Sequence, residues 1–215
     1  KNLGGTQYLF SNAAGNNTLL GGLIDDVRIY DHALSAEEVA ALNPDPLRFD
    51  ANAGSSPTQT GWTATNTSDI NNVTYSGVGS VGIQHRDRGT DNTDGSGADL
   101  ANSDMWRDFV FAAGSGAAGE GLDITIDGLE SEALYDVWLW AYDEGSGGDR
   151  PAIWTGSGLL GTSASLVFDG DDPDPQSLGD YVVRFRAQAD ELGVVVLEGR
   201  YGGVGGDAHN VFVNG

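Results

Sequence analysis

Apolar residues in this chain come in short alternating runs, each cut off by Gly, Asp, Asn or Ser. Alternation with a period of two places every second side chain on one face of an extended strand, and turn-forming residues limit its length. The stretch GLDITIDGL (121–129) shows the pattern cleanly, and its Asp127-Gly128 is a turn signal. Only one segment starts like a helix: Ser35 and Glu38 form an S-x-x-E capping box, and Val39 and Leu42 supply an apolar stripe. Helix formers are otherwise scarce, while 33 of the 215 residues are Gly. The expected fold class is therefore all-β, a sandwich of short strands joined by polar loops.

Charge removes several function classes. There are 32 acidic residues, 24 of them Asp, against 10 basic ones, and the formal net charge is −22. Such a field repels phosphate backbones, so no nucleic-acid partner is expected. The chain has no Cys and its single Lys is Lys1. That excludes disulfides, thiolate chemistry, Cys-ligated zinc and an internal Schiff-base lysine. No run of 18 apolar residues occurs, so no membrane-spanning helix is expected. The sequence starts without Met or a secretory leader, which reads as an excised part of a longer protein.

Two units are expected. In residues 1–43, Thr6–Phe10 and Gly22–Tyr30 read as strands around the loop Asn12–Asn17, followed by the helix near 33–42. Asn43-Pro44-Asp45-Pro46 ends that helix, and 44–47 reads as a linker. Over 48–215, with the first strand starting at Leu47, the strands expected are Leu47–Asp50, Thr74–Ser76, Ser80–His85, Arg107–Ala112, Leu122–Ile126, Leu134–Tyr142, Ser165–Phe168, Tyr181–Ala187, Gly193–Glu198 and Asn210–Val213.

Two resemblances attach to these strings. GLIDDVRIYDHALSAEEVAAL (22–42) resembles the C-terminal end of a laminin-G-like, concanavalin-A-like jelly-roll domain of bacterial extracellular proteins. RFDANAG (48–54), HRDRG (85–89), WRDFVFA (106–112), LYDVWLWAYDEG (134–145) and GGDAHNVFVNG (205–215) make the second unit similar to galactose-binding-like jelly rolls. Many carbohydrate-binding modules of bacterial polysaccharide-degrading enzymes have that architecture. The resemblance implies a jelly-roll β-sandwich, an extracellular or cell-surface location and one structural calcium ion.

Candidate binding groups cluster on and after one strand. In Leu134–Tyr142, alternation sends Tyr135, Val137 and Leu139 to one face and Trp138, Trp140 and Tyr142 to the other. Three large rings on an outer face suit stacking on sugars. The competing reading is that a loop covers them and makes a second, minor core. The following loop offers Asp143, Glu144, Asp149, Arg150 and Trp154, with either a ligand-binding role or a solvated loop and a tucked-in Trp154. His209 is a further sugar-hydroxyl candidate. For a Ca²⁺ ion the candidates are Asp169, Asp171, Asp172 and Asp174, closely spaced carboxylates on a Gly-broken turn, against a plain acidic turn. Asp91, Asn92, Asp94 and Asp99 form a looser alternative. Arg86, Arg88 and Arg107 among Asp87, Asp91 and Asp108 suggest Arg–carboxylate pairing in preference to binding an anionic polysaccharide.

No catalytic pattern stands out. His32, His85 and His209 are far apart, and there is neither an H-E-x-x-H nor a G-x-S-x-G motif. The expected role is a non-catalytic extracellular carbohydrate-binding or adhesion module, its partner a polysaccharide or cell-surface glycan. The alternative is a structural subunit of a surface layer or filament that self-assembles through open sheet edges.

Overall fold

The computed structural model describes residues 30–36, 46–54, 56–68, 70–79, 81–89, 103–158, 163–203 and 210–215. The chain divides into two compact units, Lys1–Pro46 and Leu47–Gly215. In the first, the expected strand Thr6–Phe10, the strand Gly22–Tyr30 apart from Tyr30, and the expected helix beyond residue 36 lie outside the described residues.

Among the described residues, the regular structure of the second unit is almost entirely strand: β1 (Phe49–Ala51), β2 (Thr63–Thr65), β3 (Val73–Val78), β4 (Gly82–Asp87), β5 (Asp108–Ala113), β6 (Gly121–Ile126), β7 (Leu134–Trp140), β8 (Ala152–Gly156), β9 (Ser163–Leu166), β10 (Val182–Gln188), β11 (Val195–Tyr201) and β12 (Asn210–Val213). A short helix, α1 (Ser103–Arg107), leads into β5. One antiparallel sheet has the order β3-β6-β11-β8-β9. A second runs β4-β5-β12. The antiparallel β7–β10 ribbon joins the end of that sheet through Trp140, whose N–H donates to the Gly215 carbonyl (2.9 Å) and whose carbonyl accepts from the Asn214 N–H (2.8 Å). The short parallel pair β1–β2 is fastened there too, by the Ala51 N–H to the Asn214 carbonyl (2.7 Å). The result is an all-β sandwich.

The core lies between the sheets. Leu122 and Ile124 of β6 and Val195 and Leu197 of β11 are buried on one side. From the other come Phe109 and Phe111 of β5, Phe212 of β12, Leu139 of β7, and Val183 and Phe185 of β10. Phe212 makes ring contacts with Phe109, Phe111 and Phe168 at 5.2, 5.4 and 5.3 Å. Each fully buried Phe contributes about 1.5–3 kcal/mol, so this group is a principal source of cohesion.

Alternation located ten strands of this unit, with ends shifted by up to three residues. It missed β2, β8 and α1. In β8 the inward positions are Ala152, Trp154 and Gly156, so two of the three are too small to register as an apolar row. At Gly156 the smallness has a packing cause: a Cβ there would sit 2.6 Å from the Ala187 Cβ and the Arg186 carbonyl oxygen. Trp154 in turn lies opposite Gly199 of β11, where a Cβ would sit 2.7 Å from the indole ring.

Candidate functional site

The exposed face of the β7–β10 ribbon carries the most site-like group of side chains. β7 obeys its alternation: Val137 and Leu139 point into the sandwich, Asp136 and Trp138 away from it. Register with β10 sets Arg184 opposite Trp138 and Arg186 opposite Asp136. Trp138 is 49% exposed. The Arg184 guanidinium lies over its ring, 4.0 Å from the centroid. Arg186 Nε donates to Asp136 Oδ1 at 2.7 Å. These four side chains line a shallow depression with Val137 and Phe185. Among the described residues no carboxylate forms an ion pair with Arg184.

The expected stripe of three rings is reduced to one. Trp140 shares the outer face but is covered: the Trp62 ring stands edge-on to it at 5.5 Å, and its indole N–H donates to the Leu178 carbonyl at 2.9 Å. Tyr142 is fully buried, stacked on Tyr181 at 4.5 Å. Its hydroxyl donates to the Asp172 carbonyl oxygen at 3.1 Å, with Asp174 Oδ1 at 3.2 Å. Burial, with the nearby Asp174 charge, pushes the Tyr142 phenol well above the ordinary tyrosine range. The expectation that Trp140 and Tyr142 present their rings to a ligand is therefore corrected. Trp62, Leu178 and Tyr181, remote in sequence, wall them in.

The loop candidates divide likewise. Asp143 is buried and bound at two points by Arg88, and Ser146 Oγ also donates to it. It ties structure together and has no surface to offer a sugar. Trp154 is buried under Gly199. Arg150 is half-buried and donates from Nη1 to the Gly148 carbonyl at 2.7 Å. Burial lowers its pKa from the usual arginine value, against the opposing pull of Asp143 and Asp169. His209 lies outside the described residues.

The acidic turn is held by its own backbone. Asp169 Oδ1 accepts from the Gly148 and Asp171 N–H groups at 2.8 and 3.0 Å, and Asp172 Oδ2 from the Asp169 N–H at 3.2 Å. Asp171 is exposed and Asp174 faces the Tyr142 hydroxyl. Among the described residues, no three His, Asp or Glu side chains are arranged around a common metal position, at this turn or elsewhere. Asp91, Asn92, Asp94 and Asp99 lie outside the described residues.

Arginine pairing is present, with partners the sequence left open. Arg107 forks onto Asp87 (2.6 and 2.8 Å) and Arg88 onto Asp143 (2.6 and 2.7 Å). Asp108, adjacent to Arg107, turns inward instead. Its Oδ2 accepts from the Ala53 N–H at 2.9 Å and from Ser56 Oγ. Asp50 Oδ2 accepts from the Gln59 N–H at 2.6 Å. Burial raises the Asp50 carboxyl to about 7, helped by the Asp108 charge, and the Asp108 carboxyl to about 6. Sequence reading singled out neither acid as buried; the only hint is that each sits beside apolar residues, in Phe49-Asp50-Ala51 and Asp108-Phe109-Val110.

Compared with known proteins, the chain matches no family model, no curated protein and no solved structure. Among the described residues no helix is long and apolar enough to cross a membrane.

Proposed function

We propose that the second unit is a non-catalytic carbohydrate-binding or adhesion module of an extracellular or cell-surface protein, with its ligand face on the β7–β10 ribbon. One observation carries this reading: Trp138 is half exposed beside Arg184, whose donors are engaged by no carboxylate among the described residues. An indole offers an apolar plane for a sugar ring, and a guanidinium offers directional donors for hydroxyl, carboxylate or sulfate oxygens. Asp136, fixed by Arg186, adds an acceptor at the same depression. The test is calorimetric titration, or a glycan array, with neutral and acidic plant and marine polysaccharides. Saturable binding that Trp138→Ala weakens about tenfold or more (~1.4 kcal/mol) is expected. No binding at millimolar ligand overturns the reading.

Assembly through sheet edges is the second reading, and one feature favours it. β9 is the outermost strand of its sheet, and exposed Ile153 of β8 and Val167 lie beside it. Unpaired edges flanked by apolar side chains invite strand addition. Sedimentation at increasing protein concentration tests it; a monomer throughout removes it.

A further inference from the structure

Arg88, Arg107, Arg186 and Arg200 each donate to a carboxylate. Arg184 is held in another way. Its guanidinium lies over the Trp138 ring, 4.0 Å from the centroid, and it forms no ion pair among the described residues. Register sets the two side chains opposite one another on the same face of the β7–β10 ribbon. A stack engages the flat face of a guanidinium, whereas its five N–H donors lie in the plane of the group. The ring thus places the cation without spending its hydrogen bonds, and Arg184 is exposed.

The charge of this face runs against that of the chain. Its cross-strand rows are Leu134 with Gln188, Asp136 with Arg186, Trp138 with Arg184 and Trp140 with Val182. Two cations therefore meet one acid, in a chain where 32 acids face 10 basic residues. That acid is also engaged, since Arg186 Nε donates to Asp136 Oδ1 at 2.7 Å. Sugar hydroxyls need no cation, because neutral polar side chains serve them equally. A guanidinium held in place suits a carboxylate or a sulfate, with two parallel charge-assisted bonds about twice as strong as neutral ones. The net charge of −22 opposes every anion at long range. At about 0.15 M salt, however, charges more than about 8 Å away are largely screened, so the side chains in contact decide.

We infer that the ribbon face takes acidic polysaccharide, with Arg184 receiving the carboxylate of a uronic acid or the sulfate of a sulfated sugar beside Trp138. This rests on the glycan reading and narrows it to one class of ligand. Arg184 is the residue that sets specificity. Trp138 places the guanidinium, and it remains 49% exposed under the stack, which leaves indole surface for the sugar ring.

The experiment is calorimetric titration of the whole chain at about 0.15 M salt. Galacturonate oligosaccharides are compared with the same oligosaccharides methyl-esterified, and sulfated galactan oligosaccharides with their desulfated counterparts. Each pair differs in the acid group alone, and the pair that responds tells carboxylate from sulfate. At least one acidic form is expected to bind about tenfold or more tightly than its neutral counterpart. Arg184→Gln abolishes that preference. Arg184→Lys keeps the charge without the fork and loses most of it. Trp138→Ala weakens acidic and neutral forms alike. Neutral forms that bind as tightly as acidic ones, or a preference that survives Arg184→Gln, overturn the inference and leave the glycan reading standing. Binding to no glycan removes both. Tighter binding of a single-stranded oligonucleotide than of either acidic glycan also overturns the inference.

Discussion

Arg88 and Asp143, 55 residues apart, form a two-point ion pair: Nε to Oδ1 at 2.6 Å and Nη2 to Oδ2 at 2.7 Å. The pair fastens the chain just past β4 to the loop just past β7. The Asp143 side chain is wholly inaccessible, and the Arg88 guanidinium also lies over the Phe109 ring at 5.8 Å. Removing Arg88 leaves the Asp143 carboxylate buried without its hydrogen-bonded cation, with only the Arg150 charge nearby. Arg88→Ala is expected to destabilise the unit by about 3 kcal/mol in urea unfolding. A loss under 0.5 kcal/mol, the range of ordinary surface substitutions, would show that the pair is incidental.

Gly199 makes room for Trp154. The indole is rigid and fully buried, so it has no open space to retreat into. Gly199→Ala places a methyl 2.7 Å from the ring and is expected to cost ~1–3 kcal/mol, read as a lowered thermal midpoint. A companion Trp154→Leu substitution relieves the clash, so the double variant is expected to lose less than the two single losses summed.

Trp138 separates binding from packing. Its stack with Arg184 is a cross-strand pair at the surface, worth about 0.5–1 kcal/mol to the fold. Trp138→Ala is therefore expected to leave the thermal midpoint nearly unchanged while glycan binding falls. A midpoint drop of the size seen for a core Phe would make the ring a packing element and take away the ligand face.

Acid should loosen the join between β4 and α1. The Arg107 guanidinium holds the Asp87 carboxyl below the ordinary carboxylate value, and the Gly89 N–H adds to this. A carboxyl whose pKa is lowered by folding stabilises the native state above its unfolded value, near pH 4, and that contribution is lost as pH falls through the lower folded value. The stability difference between the unsubstituted protein and Asp87→Asn should thus be constant from pH 7 to about 5 and shrink below about 4. A difference that stays level down to pH 2 contradicts the pairing.

How much could be read in advance depended on the range of the forces involved. The β-sandwich was legible because alternation along one strand is a local signal: Val137 and Leu139 inward, Asp136 and Trp138 outward. The pairing of arginines with aspartates was legible as a type, because 32 acids outnumber 9 arginines in this chain. Which Asp meets which Arg was not, because β4 and the loop after β7 approach one another only in the folded chain.

The candidate site shows the same division. Strand periodicity put Trp138, Trp140 and Tyr142 on one side of the chain. Exposure was decided elsewhere: Trp62 and Leu178 closed over Trp140, and Tyr181 stacked on Tyr142, leaving Trp138 with Arg184. Asp50 and Asp108 look like surface acids in the sequence. Folding buried them beneath the 52–59 loop, because β1 and the start of β5 converge on it. Side-chain direction follows from the geometry of a single strand; solvent access depends on whatever segment comes to lie above it, and that only the tertiary structure fixes.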